Sequence, residues 1–148
     1  MILLVHHGDA LGPDVDAMRP LSALGQAAAT RLAGDAAARG VRPDVILHSG
    51  KLRARQTAEL FWRLCNPLAE FSAARGLQPG DAPRSMRDDL AADDRSLVIV
   101  GHMPHLPRLL ALLRGDADTA APEFPLHGCV ALEREGNNWK EMWRLTTP

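Results

Sequence analysis

Three short apolar runs in this chain each end in an imidazole, and helix-forming segments separate them. The runs are Met1–Val5, closed by His6-His7-Gly8; Asp44–His48, followed by Ser49-Gly50; and Ser96–Val100, closed by Gly101-His102. Short continuous runs of Val, Ile and Leu read as strands buried on both faces, as in a parallel sheet. Strands alternating with helices predict an α/β layered fold, with a mostly parallel central sheet and helices on both faces. A parallel sheet puts all these carboxyl ends on one side, where open α/β sheets bind ligands. An imidazole fixed there can act as a nucleophile, an acid–base or a metal ligand.

The remaining elements follow from periodicity and punctuation. Ser22 supplies an N-cap for an Ala-rich helix ending near Gly40, with Leu24, Ala28 and Leu32 spaced for one face. After Ser49-Gly50 a second helix buries Ala54, Ala58, Phe61 and Cys65, and Pro67 forces its end. Glu70–Ser72 reads as a short strand, Gln78-Pro79-Gly80-Asp81 as a loop and Arg84–Ala92 as a short helix. Pro104 suits the first turn of a helix with Leu106, Leu109, Leu110 and Leu113 as its core face and Gly115 as its stop. An Ala/Asp-rich loop covers Gly115–Ala121. Gly128–Arg134 and Trp139–Leu145 read as a terminal, antiparallel pair joined at Gly136-Asn137-Asn138.

Composition narrows the function classes. The 148 residues suffice for one core, so a single domain over 1–148 is expected. A net charge of −1 gives no overall positive field for nucleic acid or a membrane surface. Cys65 and Cys129 sit in apolar surroundings without C-x-x-C spacing, and read as buried thiols in a reducing compartment. No apolar run is long enough to span a bilayer and no signal-peptide pattern opens the chain, so a cytoplasmic location is expected.

Lys51, Arg53 and Arg55 fall in the first turn and a half of the second helix. Cations there oppose the helix dipole, which suggests an anion nearby. Lys51 and Arg55 read as solvated surface charges, whereas Arg53 keeps a distinctive spacing from Ser49.

Together these residues resemble the histidine phosphatase superfamily, with its phosphoglycerate mutase-like fold, and within it the small SixA-type phosphohistidine phosphatases. The family's Arg-His-Gly-Asp/Glu is similar to His6-His7-Gly8-Asp9 here. Its Arg-Pro-Leu-Ser/Thr with a following Gly matches Arg19-Pro20-Leu21-Ser22 and Gly25. Its Ser-Pro-x-x-Arg-Ala-x-Gln-Thr matches Ser49-Gly50-Lys51-Leu52-Arg53-Ala54-Arg55-Gln56-Thr57. Its Gly/Ser-His-x-Pro matches Gly101-His102-Met103-Pro104. The four matches occur in order and cover most of the chain.

The resemblance implies a three-layer fold and a metal-independent phosphatase acting on phosphohistidine or a small phosphomonoester, with no cofactor. His7 would attack phosphorus through one ring nitrogen while a carbonyl near Gly8 holds the other. Arg53 would fork onto two phosphoryl oxygens and His102 would donate to a third. Ser49 and Gly8 belong to the same pocket. Arg19 either lines the entrance or ties down the Asp14/Asp16 segment. Asp81 is either a proton donor or a turn residue, and His127 is a candidate for the pocket rim. His105 is expected on a helix surface.

Two positions depart from the family pattern. His6 stands where the family has arginine; losing a charge-assisted hydrogen bond costs about 1.5–3 kcal/mol. A partly protonated His6 would favour an acidic pH optimum. Gly50 replaces a proline, which loosens the turn. His48 is either a compensating donor or a satisfied loop histidine. A catalytically weakened phosphate-binding module is the alternative function. A metal hydrolase built on His6, His7, His102 and His105 ranks last, because adjacent histidines on a strand point to opposite sides.

Overall fold

The computed structural model describes residues 1–116 and 122–147. The elements are β1 (Ile2–His6), α1 (Ala23–Ala38), β2 (Val45–His48), α2 (Leu52–Cys65), β3 (Glu70–Ala73), α3 (Pro83–Ala91), β4 (Leu97–Gly101), α4 (His105–Arg114), β5 (Cys129–Glu135) and β6 (Asn138–Leu145). They lie within a residue or two of the expected boundaries. Most of the expected Gly115–Ala121 loop lies outside the described residues.

The strands form one six-stranded sheet of order β3-β2-β4-β1-β5-β6. β1, β2, β3 and β4 are mutually parallel, with His6 opposite Gly101 and His48 opposite Val100. β5 runs antiparallel to β1, and β6 antiparallel to β5 around a two-residue turn. Pairing in both directions leaves β1 with no free edge, and all five of its residues are buried.

Alternation along the strands divides the core into two faces. Leu3, Val5, Ile46, Val98 and Val100 pack with α1 and α2. Ile2, Leu4, Val45, Leu97 and Ile99 pack with α3 and α4. Ala54, Ala58, Phe61 and Cys65 are buried as their spacing predicts, and so are Leu106, Leu109, Leu110 and Leu113. Gly115 ends α4 with φ 72, a left-handed conformation that glycine adopts without strain. Cys65 and Cys129 are buried free thiols. Among the described residues, no helix is long and apolar enough to cross a membrane.

The face expected for α1 is right at Leu32 and wrong at Leu24. Leu24 is 80% exposed, and the buried stripe is Gly25, Ala29, Leu32, Ala33 and Ala36. The cause is a close backbone approach: a Cβ at Gly25 would lie 2.0 Å from the Asp9 carbonyl oxygen. α1 therefore seats its smallest residues against the loop after β1, and Leu24 turns outward. Ser22 caps the helix as expected, accepting from the Gly25 N–H.

Candidate active site

The site is assembled where β1, β2 and β4 end. His7 leaves β1 and its Nδ1 donates to the Gly8 carbonyl at 2.7 Å. A carbonyl only accepts, so the proton sits on Nδ1 and the Nε2 lone pair is free. Burial, aided by the charges of Arg53, His127 and Arg19 and opposed by the Gly8 bond, lowers the His7 pKa to about 4. The ring is therefore neutral and nucleophilic at neutral pH.

α2 braces this loop. The buried Thr57 hydroxyl accepts the Gly8 N–H at 3.0 Å and donates to the Arg53 carbonyl at 2.9 Å. Gln56 accepts the Leu21 N–H at 2.7 Å, and Ser22 donates to Asp9 at 2.6 Å. One helix thus sets the positions of the nucleophile, Arg53 and the Arg19-Pro20-Leu21 segment. Because Thr57 uses the Gly8 N–H, Gly8 offers no free amide to a substrate. Its contribution is the carbonyl that orients His7, as expected of a carbonyl near Gly8, and not an amide for the substrate.

His102 is buried, with its ring centroid 4.9 Å from that of His7. Its Nε2 shares a 2.6 Å hydrogen bond with the Ser49 hydroxyl, while Nδ1 has no partner. Burial first, then the charges of His7, Arg53 and Lys51, lower its pKa to about 3. Arg53 is half-buried with an unpaired Nε, and burial followed by Arg19 lowers its pKa. Arg19 does two jobs. Its Nε donates to the Leu11 carbonyl at 3.0 Å, and with Met18, Lys51 and Arg53 it lines a cleft of about 400 Å³.

His6 is not opposed to His7. Their ring centroids are 4.5 Å apart, because β1 stops at His6 and strand alternation does not extend to His7. His6 Nδ1 accepts the main-chain N–H of His127 at 2.8 Å, so its own proton sits on Nε2. Burial and the neighbouring His7, His127 and His102 lower its pKa to about 3. His6 is therefore a neutral single N–H donor. The acidic optimum expected from its protonation has no basis, since it stays uncharged well below neutral pH.

His127 is drawn into the site. Its ring stacks on His6 at 4.8 Å with a 6° interplanar angle, and its Nδ1 donates to the His7 carbonyl at 2.7 Å. It occupies a turn closed by the Gly128 N–H on the Pro125 carbonyl at 3.0 Å, with φ 52.

Several neighbours have simpler roles. His48, the last residue of β2, accepts the Gly50 N–H at its Nδ1 at 3.0 Å and is satisfied by the turn that follows. Gly50 has φ 90, which proline cannot adopt, so this turn differs in conformation from one built on Ser-Pro. Arg55 is exposed and pairs with Glu59 at 3.1 Å. Asp81 accepts the Gln78 N–H at 2.9 Å, the geometry of a turn residue. His105 is fully buried, contrary to its expected surface position, and neither ring nitrogen has a partner. Leu77 and Leu106 share a core cluster, so the loop leading to Asp81 packs over the start of α4. Sequence reasoning passed over the bracing by Thr57 and Gln56, although both stood in the quoted motif. It also missed Gln78, whose Nε2 holds the Ser49 carbonyl at 2.6 Å and which no spacing rule marks.

One nitrogen from each of His6, His7 and His127 lies within 4.8 Å of the others. A metal needs an unprotonated nitrogen from each ligand. The bond from His127 N–H keeps the proton of His6 on its free nitrogen, so His6 offers a metal a donor where a lone pair is needed. The unpaired Arg53 and His102 atoms beside this donor suit an oxyanion instead.

This three-layer fold is shared with solved members of the histidine phosphatase superfamily. The chain is similar to the protein histidine phosphatase SixA solved with tungstate: 24% identity over 98% of this chain and 96% of that one, TM-score 0.86. It is similar to a protein assigned as a phosphohistidine phosphatase SixA from Agrobacterium tumefaciens, with 25% identity over 99% and 97% of the two chains and TM-score 0.81. A phosphoserine phosphatase from Entamoeba histolytica, solved with 3-phosphoglyceric acid, shares 14% identity over 99% and 96%, TM-score 0.72. No family model and no curated protein matches the chain.

Proposed function

We propose that the chain is a metal-independent phosphatase, one domain over residues 1–148, that hydrolyses phosphohistidine or a small phosphomonoester through a phosphohistidine intermediate on His7. The observation that carries this reading is the His7 tautomer: Nδ1 is tied to the Gly8 carbonyl at 2.7 Å, leaving Nε2 unprotonated beside Arg53 and His102. Nε2 attacks phosphorus in line with the departing group. Arg53 neutralises charge on the phosphoryl oxygens, while the uncharged His102 and the His6 Nε2–H contribute polar contacts without charge. Arg19 and Lys51 line the mouth and meet the rest of the phosphorylated substrate. The likeness to SixA supports a protein-borne phosphohistidine as the partner. We also place the protein in the cytoplasm, in keeping with its two free thiols.

The test is turnover of an aryl phosphate in the presence of a chelator, with an acid-labile phosphoenzyme trapped by rapid quenching. His7→Ala should abolish both. A protein that tungstate stabilises against heat, but that turns over no phospho-compound in a broad panel, would be a binding module instead.

A further inference from the structure

The proposed reaction needs a proton for the departing atom, and the expected carboxylate is otherwise engaged: Asp81 holds the Gln78 N–H at 2.9 Å. Among the described residues, the one group of three or more possible metal-ligating side chains is His6, His7 and His127, and it contains no carboxylate. His6 cannot do the work, because releasing its Nε2 proton while Nδ1 accepts an N–H would leave an imidazolate. The nucleophile's lone pair is committed to phosphorus. His127 is different.

We infer that His127 is the general acid–base of this site, acting through Nε2 while Nδ1–H stays bonded to the His7 carbonyl. The inference rests on the phosphatase reading above. The 2.7 Å bond from Nδ1 orients the ring and leaves Nε2 to gain or lose a proton, and the His6 stack at 4.8 Å holds the ring plane. The ring is half-exposed, so it exchanges protons with solvent, yet its centroid is 6.0 Å from that of His7. A phosphoryl group seated on His7 brings its departing atom within reach of His127.

The proton balance closes over one turnover. In the first step the His7 Nε2–P bond forms and the bond from phosphorus to the leaving atom breaks. The leaving atom keeps the electron pair and takes the proton from His127 Nε2–H, so a phosphorylated imidazole departs as neutral imidazole. In the second step a water oxygen bonds to phosphorus and the N–P bond returns its pair to His7. The water proton passes to His127 Nε2, which restores the imidazolium. Histidine suits both halves because one ring nitrogen can release and regain a proton while the other keeps its hydrogen bond.

The backbone makes the position costly. A φ of 52 places His127 in the left-handed region, where glycine and asparagine are more at ease. Retention of strain beside a reactive group is consistent with use in the reaction.

The experiment compares wild type with His127→Asn across phosphate esters whose leaving groups run from 2,4-dinitrophenol to an alkyl alcohol. Asparagine tolerates the turn and keeps the N–H that holds His6. We expect kcat/KM to drop on the order of a hundredfold or more for alkyl and phenyl phosphates. The dinitrophenyl ester, which needs no proton, should lose less than about threefold. A second variant, His127→Gly, should recover activity on phenyl phosphate when imidazole is added. A loss of equal size across the series, or no loss, would assign His127 a structural role and overturn the inference while leaving the phosphatase reading intact. Failure of wild type to turn over any ester would overturn that reading and this one with it.

Discussion

The main-chain N–H of His127 meets His6 Nδ1 at 2.8 Å, and that bond decides which nitrogen of His6 carries the proton. His6 therefore replaces a charged fork with one neutral donor, aimed at the same pocket.

Restoring arginine should separate charge from fit. In His6→Arg we expect tungstate to bind about tenfold to a hundredfold more tightly at neutral pH, from one added charge-assisted contact. The same change deprives the His127 N–H of its acceptor and should lower stability by about 1–3 kcal/mol. Inhibition constants and thermal melts measure the two effects separately. Weaker tungstate binding in the variant would show that the His6 donor outperforms a guanidinium in this pocket.

Acid should unfold the protein through its own active site. His6 and His102 titrate at about 3 and His7 at about 4, against 6.5 without burial. Between these values the unfolded chain binds more protons than the folded one. Stability is thus fully present above 6.5 and lost as pH falls, each histidine contributing at most about 1.4 kcal/mol per pH unit. Urea midpoints measured from pH 7 to pH 5 should decline, and more gently in His6→Gln. A flat profile in the wild type would contradict the burial of these rings.

Thr57 should matter to catalysis without touching a substrate. Thr57→Val removes the acceptor of the buried Gly8 N–H, costing about 1–3 kcal/mol of stability. It also frees the loop that aligns His7, so kcat should drop by an order of magnitude or more while KM moves little. Steady-state kinetics at a temperature well below the melt would show this, and a change confined to KM would count against it.

The family's proline should fail here. Gly50→Pro demands a φ near −65° where the chain has 90, and deletes the N–H donated to His48. A loss of about 2 kcal/mol or more is expected, with Gly50→Asn much milder. Denaturant midpoints of the two variants settle the ordering, and a fully stable Gly50→Pro would mean the turn can be rebuilt.

What the sequence disclosed depended on how local each cause was. The strand ends, the α2 and α4 stripes and the cluster of His7, Arg53 and His102 follow from spacing and from parallel pairing, so they were legible. Leu24 was misread because α1's face is set by Gly25 touching Asp9, a contact between distant elements. His105 was placed on the surface because its polar ring gave no sign that the face of α4 it occupies is fully buried. His6 and His7 were set on opposite sides by a rule that lapses where β1 ends. His127 could be read from the chain only as a candidate for the pocket rim. It enters the site through one main-chain and one ring bond, to partners 121 and 120 residues away in sequence.

Three rings at this site have their Nδ1 atoms committed to the main chain: His6 to His127, His7 to Gly8 and His127 to His7. The bookkeeping of protons is thus written in peptide groups, and the seam that carries it is the antiparallel join of β1 to β5, where His6 N–H bonds to the Gly128 carbonyl at 2.9 Å. Side-chain substitutions nearby can dim the site by degrees. A slip of that seam would reassign donor and acceptor on His6 and His127 at once, so the join of β1 to β5 is as much an instrument of the chemistry as the imidazoles themselves.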